Sequence, residues 1–152
     1  MTPHPDTAIA ARQSWMAVLA RAEANDMAQL LADLPPLPDP VILRGPEVEL
    51  VMVRGRIGGG GGPFNLGEMT VTRCTLRAGA TVGHASIAGR VPERAILAAR
   101  IDAGLQDPTL HDSLHTAVIA PLAARQLAAR AESAAKAAAT RVEFFTLQTM
   151  RT

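Results

Sequence analysis

Five consecutive glycines, Gly58 to Gly62, stand between Ile57 and Pro63 in a stretch that otherwise reads as β-strand. Glycine opens backbone dihedrals that are closed to other residues, and it lets foreign atoms come close to the backbone. A run of it costs conformational entropy on folding, so something must order it. A phosphate, another part of the chain or another protein would each serve. The run thus points to a fold in which two strands meet at a loop with no side chains.

The flanking sequence supports this. Val41 to Arg44 is a short strand stopped by Gly45-Pro46, and Glu47 to Ile57 is rich in β-formers. The second of these carries apolar residues on both faces, which predicts a central strand or one covered on both sides. After the glycines, Leu66 to Arg77 reads as a strand, Ala78-Gly79 as a hairpin turn, and Thr81 to Ala88 as the returning strand. A turn centred there sets Arg73 opposite His84 and Leu76 opposite Thr81.

Helices surround this meander. Residues 1–6 are expected to fray. Thr7 can cap a helix to about Ala24, with Ile9, Trp15, Met16, Val18 and Leu19 at helical spacing. Asp26 can cap a second helix through Leu34. Residues 35–40, with four prolines, form a stiff extended linker. Pro92 suits the first turn of a helix to about Gln106, with Ile96, Leu97, Ile101 and Leu105 on its apolar side. Residues 109–118 carry no clear pattern. Pro121 can open an alanine-rich helix from Leu122 to about Ala139, a strong helix former that offers little to a core. Residues 140–147 form a β-like tail with Phe144 and Phe145. The sum is a single α+β domain over 152 residues: an antiparallel sheet of three to four strands packed with helices.

Composition narrows the function. Trp15, Phe64, Phe144 and Phe145 are the only aromatic residues, so the core must be aliphatic and alanine-rich. The net charge of +1 gives no sign of nucleic-acid binding. No stretch reaches the roughly 20 apolar residues of a membrane span, and Arg12 and Gln13 interrupt any signal-like start, so a cytoplasmic protein is expected. One cysteine, Cys74, excludes an internal disulfide and a cysteine-based metal cluster.

No chemical motif is complete. The glycine run lacks the Gly-Lys-Ser/Thr ending of a phosphate loop, and strand-like sequence follows it where a helix would be needed. His111 and His115 have the spacing of a zinc pair but no evident third ligand, so two solvent-side histidines are expected and no metal site is assigned. Cys74, with its neighbours on the opposite face, reads as a buried structural thiol. Arg73 and His84, with Arg90 beyond, would make a cationic spot able to bind an anion. Catalytic residues are not evident. The aromatic tail, the glycine run and the alanine-rich helix are elements that a monomer does not need, and they indicate an interaction subunit.

Four stretches carry a resemblance. They are Arg12-Gln13-Ser14-Trp15-Met16-Ala17-Val18-Leu19-Ala20; the glycine run with Phe64-Asn65-Leu66-Gly67-Glu68-Met69-Thr70-Val71-Thr72-Arg73; Gly89-Arg90 leading to Ile101-Asp102-Ala103; and Arg141-Val142-Glu143-Phe144-Phe145-Thr146. In this order and spacing the chain resembles the PhnG family, the small subunit of the bacterial carbon–phosphorus lyase core complex, over residues 10–147. Val91-Pro92 after Gly89-Arg90 departs from the pattern, which often has a helix-capping Asp there. The pure glycine loop is also longer than usual, and both departures weaken any anion role for this corner.

The resemblance implies an accessory subunit in phosphonate catabolism. The assembly transfers ribose 5-triphosphate from ATP to a phosphonate and releases adenine. PhnH, PhnI and PhnJ type subunits are the implied partners, with nucleosidase chemistry on PhnI and an iron–sulfur cluster on PhnJ. That cluster cannot sit on a chain with one cysteine, so no cofactor is expected here, and ATP belongs to the complex. Phe144, Phe145 and Arg141, together with Gly59, Gly60 and Gly61, are the expected partner-binding residues. Alone, the chain could pair as a homodimer. The competing reading is a self-contained triphosphate-binding enzyme that uses the Gly58–Gly62 loop and the Arg73/His84/Arg90 face.

Overall fold

The computed structural model describes residues 5–142. Helix α1 (Pro5–Leu19) and helix α2 (Ala24–Leu31) lead into strand β1 (Pro40–Arg56). A short 3-10 turn (Ile57–Gly59) connects it to β2 (Pro63–Ala78), and β3 (Thr81–Ala88) follows. Helix α3 (Pro92–Leu105) is followed by α4 (His111–Leu114), a π-helical turn (His115–Ile119) and α5 (Ala120–Ala139). The three strands form one antiparallel sheet in the order β1-β2-β3. This is an α+β fold, and the expected tail residues Phe144 and Phe145 lie outside the described residues.

Several boundaries differ from expectation, each for a physical reason. Pro5 and Asp6 are helical rather than frayed, since proline fits the first turn. The first helix ends at Leu19 and the second starts at Ala24, not at a cap on Asp26. Gly45-Pro46 does not end a strand. The pair takes a cis peptide with Gly45 at φ 80°, and register shifts on both sides let β1 continue through it. The patternless stretch 109–118 is helical from His111 onward. Inside a helix the Pro121 ring would press on the carbonyl four residues back, and the wider π turn just before it gives that ring room.

The hairpin turn sits one residue later than read, on Gly79-Ala80, with Ala78 opposite Thr81. That moves the register by two. Arg73 therefore faces Ser86 and His84 faces Thr75, correcting the expected pairs.

The core lies between the helices and the β2–β3 half of the sheet. Trp15, Leu19, Met27, Leu76, Ile87, Ile101, Leu105, Leu114 and Leu122 are buried there with a set of alanines. The linker is tied down as well: Leu37 is buried, and Arg100 donates hydrogen bonds to the carbonyls of Leu37 and Pro38. The contact face of α3 includes the expected Ile101 and Leu105, both buried, but is built mainly from small residues. Ile96 and Leu97 are partly buried, while Ala95, Ala98, Ala99 and Ala103 are fully buried. Small residues let the helix come close to the sheet.

Gly83 completes this approach. A Cβ added at Gly83 would collide with the carbonyl oxygen of Ala99 and the amide nitrogen of Ala103, both backbone atoms that cannot swing aside. Gly83→Ala should therefore lower stability by about 1–3 kcal/mol or more. The urea midpoint of the purified variant measures this; an unchanged midpoint would show that α3 does not sit this close.

Candidate functional site

Strand β3 pairs with β2 only from Val71 to Ala78. Beyond that point β1 and β2 run on as a two-stranded arm, Leu50–Arg56 against Pro63–Thr70, for roughly 20 Å at ~3.3 Å per residue. The arm follows from its sequence. Leu50, Val51, Met52 and Val53 on β1 and Phe64, Leu66 and Met69 on β2 supply its β-forming and long apolar residues, and Phe64 lies across Gly55, its ring 3.5 Å from where a Gly55 Cβ would stand. This aromatic covers the weak point that glycine makes in a strand. Leu66 has no register partner, because Val53 faces Gly67 and Arg54 faces Asn65. It is the extra residue of a bulge, which bends and twists the arm.

Contrary to expectation, β1 here is neither central nor covered. Val48, Leu50 and Met52 continue the face that buries Thr72 and Cys74 nearer the core, but past the helices this row is open to solvent. Leu50 is 62% exposed and Met52 51%. On the opposite face Val51 and Met69 face each other, half-exposed or exposed. Ile57 and Leu66 at the tip are each 65% exposed. Among the described residues, no strand lies beside the outer edge of β1. Monomers rarely expose contiguous apolar surface of this kind; such surface marks an interaction site.

The glycine run forms the tip. Gly58 and Gly59 adopt φ 57° and 80°, and a Cβ on Gly61 would stand 2.6 Å from the Ile57 carbonyl oxygen. The Gly61 amide donates to that same oxygen, and the Ile57 amide donates to the Gly62 carbonyl. The chain itself thus supplies order to the loop. A strand follows it, so no helix dipole points at it. Gly59, Gly60 and Gly61 are exposed at the end of the arm.

Arg73 and His84 lie diagonally on one face of the sheet, but their side chains are already engaged. Arg73 Nε lies 2.7 Å from Glu49 Oε1, so its charge is balanced within the sheet. His84 shares a 3.0 Å hydrogen bond between its Nδ1 and the Thr75 hydroxyl. Arg90 is exposed in the turn after β3, which Thr72 holds by donating to the Gly89 carbonyl and accepting from the Val91 amide. Pro63 and Arg73 are roughly 30 Å apart along β2 at ~3.3 Å per residue. The glycine loop and this face therefore cannot grip one triphosphate. Arg141 is exposed beyond α5.

The sequence reading missed a buried polar hub. Asp102, fully buried on α3, accepts from Arg12 Nη2 at 2.7 Å, Trp15 Nε1 at 2.8 Å and the His84 amide at 2.9 Å. Arg12 also donates to the Val82 carbonyl. These bonds tie α1, β3 and α3 together. The signal was a carboxylate between Ile101 and Ala103 on the apolar side of α3.

His111 and His115 stack at 5.9 Å, and the edge of Trp15 meets His111 at 5.6 Å. Because a carbonyl can only accept, the 2.7 Å contact with Leu105 places the proton of His111 on Nδ1. Among the described residues no group of three His, Cys, Asp or Glu side chains is placed to hold a metal. Beside this pair, α1 and the segment after α3 enclose an open cleft of about 710 Å³ with Ala8, Ala11, Leu105 and Pro108 among its walls. Cys74 is buried, and burial pushes its thiol pKa up, away from the reactive thiolate. Among the described residues no helix is long and apolar enough to cross a membrane.

The profile of the family described as phosphonate metabolism protein PhnG matches residues 10–150. The chain belongs to the PhnG family. It is also 43% identical over 143 residues to the alpha-D-ribose 1-methylphosphonate 5-triphosphate synthase subunit PhnG of Rhizobium meliloti (strain 1021), covering 93% of this chain and 91% of the relative. The match to PhnG takes in both the arm and the residues around Asp102.

Proposed function

We propose that this chain is an accessory subunit of a ribose 1-phosphonate 5-triphosphate synthase, acting in the cytoplasm in phosphonate breakdown. The observation that carries the reading is the arm, whose apolar rows are open to solvent on both faces in a chain of the PhnG family. A larger subunit covers these rows in the assembly. The partners are PhnH, PhnI and PhnJ type subunits, with Arg141 and the Phe144-Phe145 tail adding to the contact. The chain carries no cofactor of its own, and ATP is a substrate of the whole complex. Its contribution is to hold the subunits that do the chemistry.

Deletion of the gene should abolish growth on methylphosphonate as the sole phosphorus source, and the intact gene should restore it. The isolated chain should show no binding of ATP in a calorimetric titration. Undiminished growth of the deletion strain would overturn the functional reading. Tight ATP binding by the chain alone would instead favour an enzyme complete in itself.

A further inference from the structure

The charges of the arm are unevenly paired along its length, with the carboxylate of Glu68 opposite Met52 part-way along it. Near the core end, Glu47 pairs with Arg44 at 3.0 Å and Glu49 with Arg73 at 2.7 Å. Towards the tip stand Arg54 and Arg56, two apart on one strand and therefore on one face. Their register partners are Asn65 and Pro63, neither of which can balance a charge. Among the described residues neither arginine has an ion-pair partner. Both are exposed, beside the apolar Ile57 and Leu66.

The glycines add a second observation. The chain's own conformation requires glycine at Gly58 and Gly59 by their positive φ, and at Gly61 by the nearness of Ile57. It does not require glycine at Gly60 or Gly62, where the φ is not positive and a Cβ would meet nothing within 4 Å. Bare backbone at these positions suits a tip that something outside the chain approaches closely.

We propose that the arm enters, tip first, a groove of a larger subunit whose walls are apolar and whose inner end carries carboxylates that pair with Arg54 and Arg56. This rests on the reading of the chain as an arm-docked subunit. Arginine next to exposed aliphatic and aromatic side chains is the composition of interface centres, where lysine and acidic residues are depleted. The guanidinium fork matches a carboxylate in two hydrogen bonds, which fixes orientation as well as attraction.

The test is co-expression of the full chain with the other subunits of its complex, with Arg54→Glu and Arg56→Glu combined, and with Leu50→Asp and Met52→Asp combined as a separate variant. The charge reversal should cut recovery of the complex at least tenfold, and the wild-type association should weaken as salt is raised. Circular dichroism of the free variant should not change, since both side chains are exposed. Full assembly of the charge-reversed chain would overturn the inference. If that assembled complex also shows a raised KM for ATP, the arginines hold phosphate rather than protein carboxylates. Loss with the Leu50/Met52 variant alone overturns this inference and leaves the docking reading standing. Failure of the wild-type chain to co-purify overturns both.

Discussion

Leu50→Asp combined with Met52→Asp should abolish assembly with the larger subunits and leave the isolated chain folded. Both side chains are more than half exposed, so the free chain loses almost no packing when they change. In the complex the two aspartates would be buried against an apolar wall without partners. Truncating an interface anchor costs about 2 kcal/mol or more, and a buried unpaired charge costs further. Two such positions weaken association by roughly a thousandfold or more. Co-purification measures the loss, and circular dichroism of the free chain checks the fold. A folded variant that still assembles fully would show that the row does not lie in an interface.

Asp102→Ala should destabilise the isolated chain more than Gly83→Ala does. It leaves the Arg12 guanidinium, the Trp15 indole N–H and the His84 amide without their acceptor inside the protein. Removing one partner of a fully buried ion pair costs about 3–5 kcal/mol; with the Arg12 side chain 31% exposed the loss here is about 3 kcal/mol, still a large share of a total of roughly 5–15 kcal/mol. For a chain of this size that lowers Tm by on the order of 10 °C. Calorimetry of the purified variant checks this. A fall of less than about 2 °C would mean that water or another donor arrangement replaces the carboxylate at little cost.

The two sites differ in how far the sequence revealed them. Local patterns placed β2 and β3 well, because β-branched residues and a glycine turn act over a few positions. The register failed by two, because moving the turn from Ala78-Gly79 to Gly79-Ala80 leaves every side chain on the same face. Periodicity could not choose between these two turns. For β1 the apolar residues on both faces were legible, but the strand is an edge with open faces and not central or covered. Sequence shows that a face is apolar and not which molecule covers it. The Asp102 hub was invisible for another reason: its donors lie on α1 and β3, far off in sequence. Arg12, Trp15 and Asp102 stood inside the stretches that resemble the PhnG family, yet nothing in their spacing said that they meet. The glycine run was legible as a link between strands. Its self-closure depends on the Ile57 carbonyl, which composition does not report.

Whether the arm is a docking surface is tested most directly by amide hydrogen exchange along β1, measured on the isolated chain and on the assembled complex. Among the described residues no strand lies beside the outer edge of Leu50–Arg56, so its outward amides should exchange quickly in the isolated chain. In the complex these amides should become strongly protected, while the buried strands β2 and β3 near the core change little. An assembled complex in which the arm exchanges as fast as in the free chain would contradict the account.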